Sequence, residues 1–304
     1  MNNGILIIDK PVGLTSHDVV SRLRRILNTK KIGHTGTLDP FATGVLVMLV
    51  GKATRLAQFL DKDAKSYEAI IRFGFETDTG DRTGTPREVN YELGDISVEK
   101  IEEVLPEFTG EIKQIPPMYS AKKVKGKKLY EMARQGIEIE RKPVNVKISE
   151  LQIANYGLPK NEYAQTQDIG LFVTCSAGTY IRTLAEDIGR KIGVPCHLAE
   201  LRRTQAGKFG IENAVSLEEL EKIVENGKLN EILISMNDAV SHLPEKKLEK
   251  HELKLIQNGM KINGFFEDEN VQQIRLNDPE NNLVAIGNYD KSKEEIQPRM
   301  VFTN

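Results

Sequence analysis

The sequence predicts an α+β protein with a mixed central β-sheet flanked by helices, an inserted basic arm and a small, mostly β C-terminal domain. Three observations carry that expectation. Strand-like and helix-like segments alternate without the regular βαβ rhythm of a doubly wound sheet. A Pro-Pro pair at 116–117, followed by a lysine run, reads as an excursion from the sheet. Beyond about residue 236 the character changes to a charged helix, 246–257, and then to short strands broken by Gly259, Gly264, Pro279 and Gly287. A chain of 304 residues is long enough for one large domain or two. The expected division is 1–235, with the arm at about 113–147, and 236–304.

The elements follow in order. Gly4 to Asp9 is a short aliphatic strand, and Thr15-Ser16 supplies the N-cap of a helix whose Val19, Val20, Leu23, Ile26 and Leu27 share one face. Arg22, Arg24 and Arg25 lie outside that face. Residues 33–44, GHTGTLDPFATG, hold three Gly, a Pro and three Thr, too many breakers for helix or strand, so a compact loop is expected. An apolar strand follows from Val45 to Val50. Lys65 to Phe73 alternates as a half-exposed strand should, and a second polar loop, DTGDRTG, occupies 78–84. Helices are expected at 97–105, 127–135, 179–192 and 216–226, the last opening on the capping pair Ser216 and Glu219. Segments 143–156 and 169–175 read as strands.

Composition narrows the function classes. With 39% hydrophobic and 28% charged residues, the chain is an ordinary globular one. Its longest aliphatic run, Val45 to Val50, is six residues where a membrane span needs about 20. The first residues, MNNGILIIDK, show no basic leader before an apolar stretch, and both facts point to the cytoplasm. Cys175 and Cys196 form no CxxC pair and read as reduced, buried thiols and not as a zinc site or a disulfide. The formal net charge of −2 conceals a marked asymmetry. Lys113 to Lys147 carries ten basic against three acidic residues, and Met1 to Leu38 six against two, whereas Ser235 to Asn304 has nine against twelve. Such local basicity suits a phosphate-rich partner, although charge alone equally describes a solvated surface.

Familiar motifs are mostly absent. There is no GxxxxGK[ST], GxGxxG or HExxH. Ser120 to Lys123 spells SxxK without its companion triplets. Asp78 to Gly80 is a single DTG where an aspartic protease needs two carboxylates, and DRTGT at 81–85 resembles an aspartyl-phosphate loop with Arg82 in place of lysine. The loop at 33–44 is more informative. It sets Asp39 among Gly36, Pro40 and Gly44 just before a strand, which is where a scaffold presents a reactive side chain. The competing reading is an Asx-turn in which Asp39 caps its own loop. In GTYIRTL, 178–184, Tyr180 and Arg182 stand at a helix start whose free amides favour an anion. Their plainer reading is a core tyrosine and a surface arginine.

GHTGTLDPFATGVL at 33–46, KSY at 65–67, the DTGDRTG loop, QIPPMYSAKKVKGKKLYEMARQG at 114–136, GTYIRTL and LRRT at 201–204 together resemble the TruB family of bacterial tRNA pseudouridine-55 synthases. The resemblance runs in order from about Gly4 to Ala214. It implies a pseudouridine synthase fold with a PUA-like C-terminal domain, and isomerisation of the T-loop uridine of tRNA by base flipping and aspartate catalysis. By position in these motifs it implies Asp39, Tyr67 and Arg182 as catalytic residues, and His34, Tyr67, Tyr180, Leu201 and Lys10 as substrate-binding ones. Lys122, Lys123, Lys127 and Lys128, with Tyr119 and Tyr130 among them, become an arm that grips an RNA stem-loop and is mobile until RNA binds.

Pseudouridine formation involves no redox change, so neither cofactor nor metal is expected. Arg182 is expected to keep Asp39 ionised by lowering its pKa. The expected partner is the tRNA T-arm, bound by a monomer, with no membrane. The rival readings are an RNA-binding or tRNA-folding module with dispensable catalysis, a synthase acting on another RNA, and a hydrolase using the 78–85 loop. The acidic balance of the C-terminal region runs against direct phosphate binding there.

Overall fold

The structure, a computed structural model, describes residues 2–302 apart from 88–96, 121, 125, 134, 155–165 and 269, and without the side chains of Lys123 and Lys128. The strands of the first half are β1 (Gly4–Lys10), β2 (Ile32–Thr35), β3 (Thr43–Val50), β4 (Lys65–Phe73), β5 (Gly110–Gln114), β6 (Lys123–Val124), β7 (Lys127–Lys128) and β8 (Val144–Ile153). Then come β9 (Gln167–Cys175), β10 (Cys196–Ala206), β11 (Phe209–Gly210), β12 (Glu245–Lys247), β13 (Ile262–Asn263), β14 (Gln273–Asn277), β15 (Leu283–Asp290) and β16 (Glu295–Val301). The α-helices are α1 (Ser16–Ile26), α2 (Ala57–Leu60), α3 (Val98–Val104), α4 (Leu129–Ala133), α5 (Ile181–Ile192), α6 (Leu217–Glu225), α7 (Leu229–Ile232), α8 (Met236–Ala239) and α9 (Lys250–Gln257).

The larger sheet runs β1-β3-β10-β4-β9-β8-β5, with β2 beside β3 and β11 beside β10. Its pairings are antiparallel except β3 with β10, so the sheet is mixed, as the missing βαβ rhythm implies. At the parallel step Gly44 lies opposite Arg203, and a Cβ there would sit 2.1 Å from the Arg203 carbonyl oxygen. Its φ of +97° also demands glycine.

Helix α1 begins where Thr15 Oγ1 accepts the Asp18 N–H and the Asp18 carboxylate accepts the Thr15 N–H, a complete capping box. Its Val19, Val20 and Leu23 share a core with Leu6, Ile8, Leu46 and Met48 and with Leu217 and Leu220 of α6. Leu184, Ala185 and Ile188 of α5 pack in a second core with Ala69, Ile71 and Leu198. A third core joins Ile5, Ile7, Val45 and Val47 to Phe59, Met236, Leu283, Ile286, Met300 and Phe302. That third core ties the smaller sheet, β12-β14-β15-β16-β13, to the larger one. Arg55, over the Phe302 ring at 5.3 Å, and Arg299, donating to Gln58 Oε1 at 2.8 Å, flank the junction.

Several expectations need correction. Gly33–Thr35 are not loop but strand, because β3 beyond Gly44 offers backbone groups that β10 does not take. Strand β4 is buried except at Glu68 and Arg72, since neighbours on both edges place it deep within the sheet. Residues 196–206, given no element in the sequence reading, form the central strand β10. The charged helix starts only at Lys250, because Glu245–Lys247 pair in parallel with β14. The arm is shorter than 113–147: Lys113 and Gln114 end β5, 144–147 open the adjacent antiparallel β8, and 115–143 leave the sheet between them. Cys175 and Cys196 are free and buried. Among the described residues no helix is long and apolar enough to cross a membrane.

Candidate active site

The loop carrying Asp39 is fastened at alternate residues, Gly36, Leu38 and Pro40, by groups from elsewhere. Ser16 Oγ accepts the Leu38 N–H at 2.9 Å and donates to the Leu38 carbonyl at 3.1 Å. The Gly36 N–H donates to Asp61 Oδ1 at 3.0 Å, and the Gly36 carbonyl accepts from Arg203 Nη2 at 2.8 Å. Pro40's carbonyl accepts the Gly13 N–H at 2.8 Å, and the Ala42 N–H closes a turn onto the Asp39 carbonyl at 3.1 Å. Lys10 is fully buried, and its ammonium donates to the carbonyls of Pro11, Leu14 and Pro40. It therefore braces the loop from behind.

So held, the Asp39 carboxylate turns to Arg182 and not to its own loop: Oδ2 lies 3.1 Å from Arg182 Nη2. Arg182 is buried, and its guanidinium also reaches Asp81 Oδ2 at 3.3 Å, the Thr79 carbonyl at 3.0 Å and the Tyr119 carbonyl at 2.5 Å. Asp81 is in turn fixed by Thr79 Oγ1, the Thr83 N–H and Thr83 Oγ1, all donating to Oδ1. Its loop is latched to β10, where the Leu198 N–H donates to the Gly80 carbonyl and the Arg82 N–H to the Leu198 carbonyl. The DTGDRTG loop is thus an anchor for Arg182. Its carboxylate is committed to those donors and to Arg182, which counts against Asp81 as a phosphoryl acceptor.

Asp39, Tyr67, Tyr180, Arg182 and Leu201 line one cleft of about 250 Å³, with Lys65, Ser120, Lys122, Arg203 and 176–179. Drug-sized sites run to about 300–1,000 Å³, so this one suits a single flat ring. Tyr67 and Leu201 are each only 8% exposed, while the Asp39 side chain is 36% exposed through the mouth. Protein surrounds the remainder of that carboxylate. Burial raises its pKa above the usual carboxylate value; the charges of Arg182 and Lys10 oppose the rise, and Asp81 adds to it. Arg182 thus lowers the pKa as expected, but burial outweighs it and the net shift is upward. Burial also pulls Lys10 down to about 8 and keeps the Tyr67 phenol neutral, although Arg203, its partner across β10 and β4, acts the other way.

Other expected site residues stand apart. His34 lies on β2 opposite Met48, outside the cleft lining, with Nδ1 buried and unpartnered; burial, then Arg203, lowers its pKa. Of the arm, Lys122 lines the cleft, Lys127 is exposed, and Tyr119 contributes its backbone carbonyl. The Tyr130 N–H donates to the Ser120 carbonyl and the Leu129 N–H to the Lys122 carbonyl, with Leu129 buried, so the arm is folded at its base. The side chains of Lys123 and Lys128 lie outside the described residues. Among those residues no cluster of three or more His, Cys, Asp or Glu could hold a metal.

Sequence reading missed Arg203, 1% exposed, which donates to the Val45 and Gly36 carbonyls and so joins β10, β3 and the Asp39 loop. It also missed Ser16 and the anchoring role of Asp81. The one available signal was the doubled arginine in LRRT, where alternation on a strand sends one side chain to each face.

Comparison with known proteins adds independent findings. Residues 24–181 match the family described as TruB family pseudouridylate synthase (N terminal domain), and 182–241 match the tRNA pseudouridylate synthase B C-terminal domain. A tRNA pseudouridine synthase B of Bacillus cereus is 45% identical over 259 residues, covering 84% of this chain and 83% of its own. One from Bacillus cytotoxicus is 41% identical over 304 residues, covering 99% and 97%. Among solved structures, an H/ACA RNP bound to a substrate RNA containing 2'-deoxyuridine matches 99% of this chain and 85% of that chain, at 26% identity and TM-score 0.71. An archaeal box H/ACA sRNP Nop10-Cbf5 complex matches 99% and 86%, at 27% identity and TM-score 0.70.

Proposed function

The chain belongs to the TruB family of pseudouridylate synthases, and from that premise we propose that it isomerises the T-loop uridine at position 55 of tRNA, with Asp39 as the catalytic carboxylate. The observation that carries the reading is the Asp39–Arg182 pair, 3.1 Å apart on the wall of a cleft sized for one base.

In this reaction the C1′–N1 bond breaks, the uracil turns, a C1′–C5 bond forms, the C5 proton leaves to water and N1 takes up a proton. Atoms balance with no redox step. Asp39 serves as nucleophile at C1′ or as base toward the ribose. Arg182 orients it and opposes its protonation. Tyr67 and Leu201 enclose the ring, and the neutral Tyr67 phenol beside Arg203 relays the C5 proton. Tyr180 completes the wall. The base must leave its stack at a cost of a few kcal/mol, least in a loop, and His34 fills the vacated place. The basic arm, Lys122 at the cleft and Lys127 beyond it, grips the stem through phosphates.

The test supplies an unmodified T-arm stem-loop tritiated at carbon 5 of its uridines and follows release of tritium to water. Wild type should release it, and Asp39→Asn should bind the RNA but release none. Release by Asp39→Asn would overturn the aspartate assignment. Binding without release by wild type would favour the RNA-binding reading.

A further inference from the structure

We propose that Gln114 is a positioning residue for the Asp39–Arg182 pair, clamping the start of α5 to the root of the arm; this rests on the reading of Asp39 as the catalytic carboxylate. Gln114 is the last residue of β5, opposite Val144 of β8, and is 1% exposed. Its side chain crosses to Tyr180, where Oε1 accepts the Tyr180 N–H at 2.9 Å and Nε2 donates to the Tyr180 carbonyl at 3.2 Å. Tyr180 is extended, with φ −104° and ψ 106°, and precedes α5 without a side-chain cap of its own. One amide thus pairs with both backbone groups of this residue, as a neighbouring strand would.

The chemistry of the side chain fits the task. A primary amide holds donor and acceptor in one plane; glutamate lacks the donor, lysine the acceptor, and asparagine is a methylene shorter. Because Gln114 is buried, losing either bond would leave a polar group unsatisfied, so the clamp holds its geometry firmly. The Tyr180 carbonyl also accepts the Leu184 N–H at 3.0 Å, which makes the clamped residue the first acceptor of the helix. Arg182 follows two residues later.

The arm itself reaches the Arg182 guanidinium. Five residues after Gln114, the Tyr119 carbonyl accepts from Arg182 Nη2, the nitrogen that faces Asp39. Between the two contacts, Arg141 Nη1 donates to the Pro116 carbonyl at 3.2 Å, tying the outgoing and returning ends of the arm together. The root of the arm and the aim of Arg182 at Asp39 are therefore mechanically linked, with Gln114 as the fixed point. Misplacement by about 1 Å far from the chemistry can cost about a hundredfold in rate, so a loosened clamp should be visible in turnover.

The experiment compares wild type with Gln114→Met, which keeps the length and removes both hydrogen bonds, with Gln114→Glu, which keeps the acceptor, and with Asp39→Asn. Each is assayed for single-turnover tritium release at saturating T-arm stem-loop, for RNA affinity, for melting temperature and for the acid limb of the rate–pH profile. Gln114→Met should slow the single-turnover step about tenfold to a hundredfold with affinity changed less than about threefold. Its acid limb should move to higher pH, because Asp39 loses part of Arg182's field while Asp81, Lys10 and burial act as before. Gln114→Glu should recover part of the rate.

A Gln114→Met enzyme with wild-type rate and acid limb, beside an inactive Asp39→Asn, would overturn the clamp and leave the aspartate reading standing. A slowed enzyme whose loss follows melting temperature and affinity, with the acid limb unmoved, would reduce Gln114 to a structural role and overturn the proposal. Turnover by Asp39→Asn would instead remove the reading beneath it.

Discussion

Asp39 and Asp81 meet the same guanidinium at 3.1 and 3.3 Å, yet the loops that carry them are built in opposite ways. Asp81 is 5% exposed in its side chain; one oxygen takes three donors from its own turn and the other faces Arg182. Both oxygens of that carboxylate are engaged within the protein. The Asp39 side chain is 36% exposed, and its loop is held by Ser16, Lys10, Gly13 and Arg203 without help from the carboxylate. An acid stays available for chemistry when other residues fasten the loop around it.

Replacing each charge by an amide breaks the comparison most directly. Asp81→Asn leaves a buried guanidinium short of one counter-charge and should cost about 3 kcal/mol, read from the denaturant midpoint. Asp39→Asn takes a counter-charge from the same guanidinium but also ends the burial of an ionised carboxylate, so it should cost clearly less than Asp81→Asn. A carboxyl whose folded pKa lies above its unfolded value costs stability above the folded pKa and sheds that cost as pH falls, and the amide sheds it at every pH. Equal losses from the two variants would make Asp39 as structural as Asp81.

The pH profile sharpens the same contrast. Since burial raises the Asp39 pKa and the reaction needs its ionised form, turnover should fall with acid at a midpoint above the ordinary 3.8. A limb at or below that value would place Arg182's charge ahead of burial. The smallest effect belongs to the Asp81 turn. Thr83→Val removes the 2.6 Å donation to Oδ1 but leaves Thr79 Oγ1 and a backbone N–H in place, so about 1 kcal/mol of stability should go while turnover stays within about twofold. A large loss of turnover would show Asp81 closer to the chemistry than its burial implies.

What could be read from sequence was local. The Thr15 cap, the aliphatic β1 and β3, and the glycine that ends α5 at 193 all follow from spacing and turn chemistry within a few residues. Asp39 was legible as a candidate because its loop and the following strand are contiguous. What was hidden depends on distant partners. CHLAELRRTQA shows Glu200, Arg202, Arg203 and Gln205 where a central strand would be expected to show apolar residues. Arg202 is answered by Asp9, 193 positions away, and Arg203 by the carbonyls of Gly36 and Val45. The anchoring role of Asp81 is invisible in sequence because the group that engages it, Arg182, is 101 positions away. Gln114 opens the 114–136 motif, but its role stayed hidden, since a glutamine at a strand end is ordinary until its partner's backbone is seen.

The core shared by Ile5, Ile7, Val45 and Val47 with Leu283, Ile286, Met300 and Phe302 has a consequence for how the molecule is made. During synthesis the first strands leave the ribosome long before residues beyond 280 do, at about 5–20 residues per second. One face of β1 and β3 therefore stays incompletely covered for many seconds, an apolar surface that a chaperone can hold or a second nascent chain can find. Only when β15 and β16 arrive is that core complete, so the order of translation sets when this apolar surface is fully withdrawn from other chains.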